Sequence, residues 1–169
     1  GNCNERCHRI CKCPVRAWIG IRRMRQIAND VYIPVLKELV EEGKEVSMMI
    51  SGSSMNPFLI HHRDYILMKR PEEELKPGDM VFFQRKDGAY VMHRIHHIDK
   101  DGKLFIIGDA QTDMEGPIDK EQVFAVVIKV QRKGKWIAPG DFWWEFFEHI
   151  WLHLIPFRRV LMKLYRIRG

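Results

Sequence analysis

Cysteine is missing from most of this chain. Cys3, Cys7, Cys11 and Cys13 are its only four, so the rest of the sequence has no disulfide and must fold on a hydrophobic core. Their CxxxCxxxCxC spacing lacks the paired CxxC turns of a tetrahedral zinc site, and they read as thiols of a tail. Long apolar runs are missing too. The nearest, Phe142 to Phe157, is broken by Glu145, Glu148, His149, His153 and Pro156, short of the roughly 18 apolar residues of a spanning helix. Between Cys3 and Cys13 the chain is polar and basic, where a signal peptide would carry its apolar centre. Acid is scarce at both ends. Residues 1–26 carry seven Arg or Lys against Glu5, and residues 156–169 carry five cations and no acid. With a net charge of +6, the stretch between them is left at −5. That division excludes the even basic face of a nucleic-acid-binding domain, so no nucleic-acid partner is expected. It suits basic ends that meet an anionic membrane surface, and it predicts a cytoplasmic or peripheral membrane location.

What the chain does have is enough core. Its 169 residues are 46% hydrophobic and 30% charged, which suits one globular domain with appended segments. Ile27, Val31, Val35, Leu36, Leu39 and Val40 recur at helical spacing from Gln26 to Glu42, and Gly43 stops them. From Glu45 the period changes. EVSMMIS, DYILMKR, DMVFFQR, AYVMHRIHHI, KLFIIGD and QVFAVVIKVQR are short β-rich runs, separated by turn signals at 56–57, 76–79, 86–88, 99–102 and 116–117. The expected fold is mostly β (α+β), a compact antiparallel body with an amino-terminal helix and one or two carboxyl-terminal amphipathic helices. Three segments follow: a basic Cys-containing tail at 1–25, a β domain with its leading helix at 26–138, and an aromatic and basic helical segment at 139–169. In the last of these, Phe142, Trp143, Phe146, Phe147, Ile150 and Trp151 form a wide apolar stripe ahead of a basic end. Residues 142–168 are therefore expected to lie on anionic lipid.

Two strings carry chemistry. Ser51-Gly52-Ser53-Ser54-Met55-Asn56-Pro57 is a Gly-marked turn that can expose a hydroxyl beside backbone N–H donors, the nucleophile and oxyanion parts of an acyl-transfer site. Tyr90-Val91-Met92-His93-Arg94-Ile95-His96-His97-Ile98, read as a strand, puts Val91, His93 and His97 on one face and Met92, Arg94 and His96 on the other. A neutral imidazole can take the hydroxyl proton, and an acid can fix its tautomer. Candidate acids are Asp109, Asp113 and Glu115, just after the next strand. An imidazole base would make the rate rise with pH through about 6 to 7. His61 and His62 sit in a polar loop, and His149 and His153 lack the acid of an HExxH helix. No metal and no cofactor is expected.

In order along the chain, Gly52-Ser53-Ser54-Met55-Asn56-Pro57, Pro77-Gly78-Asp79, His93-Arg94-Ile95 and Gly108-Asp109-Ala110 resemble the motifs of the signal peptidase I and LexA-like serine peptidase superfamily. The match spans about residues 45–130 and is closest to a small His-type branch without an amino-terminal membrane helix. The resemblance implies a β-rich peptidase fold with Ser54, which directly precedes Met55, as nucleophile and Ser53 as its rival. Common bacterial members have Lys where this chain has His93. A His there resembles the endoplasmic-reticulum and archaeal-type enzymes, and implies His93 as general base. Glu115 matches the orienting carboxylate by spacing, with Asp113 and Asp109 as rivals. Asp109 has a second reading, as the cap of its turn. Many relatives place a Ser hydroxyl where Gly52 stands, so the oxyanion donors expected here are the Ser54 N–H with Ser51 or Ser53.

The activity implied is a serine endopeptidase that cuts an extended leader or signal-type peptide, with small side chains flanking the cut, and matures a dedicated precursor at a membrane. Two alternatives stand beside it: a non-catalytic peptide-binding or membrane-associated module, and a self-cleaving LexA-like protein.

Overall fold

A computed structural model describes residues 29–168. The tail with its four cysteines lies outside the described residues. Helix α1 (Asn29–Glu41) ends at Gly43, whose φ of 84° lets the Gly43 N–H reach the Val40 carbonyl and the Lys44 N–H reach that of Leu39. These two bonds close the last turn, and a residue with a Cβ would be strained at that φ.

Eight antiparallel strands follow. They are β1 (Val46–Met49), β2 (Tyr65–Lys69), β3 (Met80–Gln84), β4 (Tyr90–Ile98), β5 (Leu104–Ile107), β6 (Glu115–Ile118), β7 (Val123–Arg132) and β8 (Lys135–Ile137). Their order is β1-β2-β7-β3-β4-β5-β6, with β8 also on β7. The mostly β fold expected from the sequence is the one observed. All six strand-like runs are strands, and two more were hidden. The Gly116-Pro117 pair was read as a turn, yet it lies within β6. A proline is tolerated there because β6 pairs only with β5 among the described strands and needs no donor on its outer side.

The sheet separates two cores. On one face Val40, Met48, Phe58, Met68, Phe82 and Val127 pack with the carboxyl-terminal aromatics. On the other Val81, Phe83, Ile95, Leu104, Ile106 and Ile118 form a smaller cluster. Since β4 lies between β3 and β5 with both faces covered, Met92, His93, Arg94 and Ile95 are all buried. The strict alternation expected further along β4 fails. Pairing with β5 shifts register between Ile95 and His97, and the extra residue brings the Nδ1 atoms of His96 and His97 within 3.0 Å.

After β8 come α2 (Phe142–Glu145), a π turn at Phe146–Ile150, 3₁₀ turns at Trp151–His153 and Ile155–Phe157, and α3 (Arg158–Arg168). The segment packs largely inward. Trp144, Phe147, Trp151 and Leu152 are buried, whereas Phe142, Trp143 and Ile150 stay exposed. The two buried indoles find acceptors, Trp144 in the Glu148 carboxylate at 2.6 Å and Trp151 in the Asp109 carbonyl at 2.8 Å. The stripe expected to face lipid is thus divided, with Phe147 and Trp151 in the core and Phe142, Trp143 and Ile150 on the surface. Glu148, which interrupts the apolar run in sequence, is buried as the acceptor of Trp144. None of the described helices is long and apolar enough to cross a membrane.

Candidate active site

The turn that carries Ser54 is closed on itself. The Ile50 N–H donates to the Asp64 carbonyl, the His62 N–H to the Ile50 carbonyl, and the Leu59 N–H to the Met55 carbonyl. Asp64 is fully buried and fastens this ring: its carboxylate accepts from Arg63 and from the N–H groups of Ile60 and Lys133. Burial alone would push that carboxyl up, but Arg63 and the two amides outweigh it and hold it below its ordinary value. Nothing in the sequence patterns singled out Asp64.

The four motifs of the sequence form one bonded unit. The Ala110 N–H donates to the Ser54 carbonyl at 2.8 Å. Asp109, next in the chain, takes both Nε and one terminal nitrogen of Arg94 at 3.1 Å, and both partners are buried. The remaining terminal nitrogen of Arg94 donates to the Gly78 carbonyl at 2.8 Å. Gly78 and Ile95 then exchange backbone bonds across Pro77-Gly78-Asp79, with the Gly78 N–H on the Ile95 carbonyl and the Ile95 N–H on that of Asp79. Gly78 has no alternative: at φ 98° a Cβ there would sit 2.4 Å from Glu148 Cγ. Arg158, fully buried, holds the far side of the same loop by donating to the carbonyls of Gly108, Gln111 and Trp151.

Gly108 is as tightly confined, since a Cβ would lie 2.6 Å from the Ser54 carbonyl oxygen. Gly108→Ala must therefore push the Ser54 turn away from its support. The expected loss is about 1–3 kcal/mol of stability, read from urea unfolding.

Ser54 and His93 line one cavity of about 290 Å³. Its walls mix the apolar side chains of Ile33, Met48, Ile50, Met55, Phe82 and Met92 with the polar groups of Ser51, Ser54, Arg85, His93 and Gln111. No lysine of the described residues lines it. A larger cleft of about 1010 Å³ lies beside α1 and the 70–75 loop, carries mixed charge, and shares only Arg85 with the Ser54 cavity. Ser54 is half-buried, Ser53 exposed and Met55 buried in the wall. No hydrogen bond among the described residues uses the Ser54 N–H, so it is uncommitted. The Gly52 N–H is committed: it donates to His61 Nδ1 at 2.8 Å, so Gly52 adds backbone shape rather than a free donor.

His93 is 3% exposed on β4, opposite Val81, and its Nδ1 has no partner. Burial pushes its ring down to about 4. The charge of Glu115 opposes this shift, Arg85 adds to it, and Asp109 opposes it more weakly. The ring is thus neutral at neutral pH, with its acid limb well below the 6 to 7 expected from the sequence. None of the three candidate carboxylates bonds to it. Glu115 is gripped by Arg85 in a two-pronged pair, Asp109 is held by Arg94, and Asp113 is exposed. Arg85, which the sequence reading passed over, both lines the cavity and neutralises the acid expected to orient His93.

A family model described as Peptidase S24-like matches residues 14–129, well over half of the chain. The protein belongs to the Peptidase S24-like family. Membership places it in the LexA and signal peptidase I superfamily of serine peptidases. No curated protein matches the chain. In this S24-like protein all four motif elements lie inside the matched span, and the buried Arg94–Asp109 pair joins two of them.

Proposed function

We propose that the protein is a serine endopeptidase with Ser54 as nucleophile and His93 as general base. The observation that carries this reading is that Ser54 and His93 share one cavity in which no described lysine takes part. The neutral imidazole accepts the Ser54 proton as Oγ attacks the peptide carbonyl, and the Ser54 N–H is on hand for the oxyanion. The imidazolium then protonates the leaving amine, which releases one half of the substrate and leaves an ester on Ser54. Water, deprotonated by His93, hydrolyses that ester and restores the hydroxyl. Neutralised by Arg85, Glu115 tempers the positive charge that forms on the ring.

The substrate we infer is an extended segment of leader or signal type. Strand β1 pairs only with β2 among the described strands and runs directly into Ser51, so its free edge can take a peptide as an added strand. The cavity then receives one side chain next to the cut, against the apolar part of its wall at Ile33, Met48 and Ile50. Asp109 and Asp113 have no direct part in this scheme, and Ser53 is exposed beside the nucleophile.

The test is mass spectrometry on a library of precursor-like peptides with the wild type, Ser54→Ala and His93→Ala. Loss of cutting by a factor of about 10³ or more in both variants is the expected result. Cutting that persists in Ser54→Ala sinks the mechanism. One observation favours a second reading as a peptide-binding module: the unpartnered Nδ1 of His93 leaves the ring without an orienting acid. That reading predicts peptide binding without turnover, unchanged in Ser54→Ala. A shortened chain formed at a rate independent of protein concentration would instead signal self-cleavage.

A further inference from the structure

Helix α3 presents a surface that the peptidase reading does not use. Arg158 and Met162 attach it to the body, being 0% and 9% exposed. Val160, Leu164 and Ile167 follow one another at helical spacing on the opposite side, 61%, 55% and 74% exposed, and Phe157 just ahead is 62% exposed. This is an apolar stripe turned to solvent, in a helix whose inner face is already satisfied. Arg159 and Lys163 flank the stripe and line, with Thr112 and Ala110, a concavity of about 510 Å³ that holds no acidic residue. Residues 149–169 contain no Asp or Glu at all, whereas the body between the two basic ends is net acidic.

We propose that α3 docks the protein on an anionic phospholipid surface, with Val160, Leu164 and Ile167 entering the headgroup boundary and Arg159 and Lys163 meeting the phosphates. Charge selects this occupant. A second copy would bring the same row of cations against itself, whereas an acidic bilayer complements both the stripe and its flank. Phe147 and Trp151 of the stripe read from the sequence are withdrawn into the core, whereas Phe142, Trp143 and Ile150 stay exposed, and α3 adds an apolar row of its own. It also adjoins the proposed chemistry, since Arg158 at the head of α3 bonds to the Gly108 and Gln111 carbonyls and Ala110 supports Ser54.

The experiment is flotation of the full-length protein with vesicles of phosphatidylglycerol and phosphatidylcholine, against phosphatidylcholine alone. No turnover is needed, so its outcome is independent of the peptidase assay. Residues 1–26 are themselves strongly basic, so the informative comparison is with Val160→Ser/Leu164→Ser/Ile167→Ser, which leaves every charge in place. The expected result is a drop in partitioning of about tenfold or more for the triple variant, and a similar drop for Arg159→Glu/Lys163→Glu, with unchanged thermal unfolding. Equal partitioning of wild type and triple variant overturns the proposal. So does a dimer, seen by light scattering without lipid, that the serine substitutions dissolve, because the stripe would then belong to a second copy.

Discussion

Hydrolysis by the wild-type protein is expected to hold its rate from about pH 8 to about pH 5 and to fall only near pH 4, where the buried ring of His93 gains its proton. The size of the effect follows from the shift. A free imidazole of pKa about 6.5 is roughly 3% neutral at pH 5, whereas one at about 4 is roughly 90% neutral, a difference of about 30-fold in competent enzyme. Stability carries the same signature. Between the unfolded value near 6.5 and the folded value near 4, the unfolded chain binds more protons. The His93 contribution is therefore fully present above about pH 6.5 and is lost as pH falls toward 4, on the order of 3 kcal/mol. Urea unfolding of wild type and His93→Leu at pH 7 and 4.5 isolates it, because Asp64, held low, and Asp79, pushed up by burial, titrate alike in both proteins. The variant should lose much less stability over that interval. A wild-type acid limb near 6.5 would show that the ring works solvated, against its burial at 3% exposure.

Arg94→Ala should cost about 3–5 kcal/mol of unfolding free energy, because it strands the fully buried Asp109 carboxylate and frees the Gly78 carbonyl together. Arg94→Lys should recover little, since one ammonium cannot reproduce two parallel bonds to Asp109 and a third to Gly78. The instructive variant is Arg94→Met/Asp109→Leu. Removing both charges avoids the uncompensated ion and should restore much of the stability. Turnover should stay low, because the loop that bonds to the Ser54 carbonyl has lost its tie to β4. Urea melts and the mass-spectrometric assay on the same preparations separate the two effects. Full turnover in the double variant would mean that the pair serves folding alone.

The β body was legible because period and composition agreed in each of the six runs, and the helix stop at Gly43 followed from a rule of backbone geometry. Strand β6 was hidden because Gly116-Pro117 has the composition of a turn, and only its place at a sheet edge makes it a strand. The aromatic stripe was legible only as a stripe, since helical spacing reveals that a face is apolar and not what covers it. Trp151 is drawn into the core, where its indole reaches the Asp109 carbonyl, distant in sequence, whereas Phe142, Trp143 and Ile150 stay exposed. At the site, Ser54 and His93 could be named from motif order. That Arg94 braces the site through a carboxylate was legible too and is met by Asp109, whereas the grip of Arg85 on Glu115 was not, because the two lie 30 residues apart and no local pattern encodes their meeting. The lowered titration of His93 was equally out of reach, since it arises from burial on both faces of β4.

The ring from Ile50 to Asp64 meets itself at its own base, where Ile50 and Asp64 join and Asp64 fastens the interior. Its length is consequently not geared to the spacing of β1 and β2, which is set by their own register. Such a ring is free to vary at its rim. Descendants can recolour the exposed Ser51, Ser53, His61 and His62, and so drift toward new substrates, while Met55, Phe58 and Leu59 stay anchored in the core.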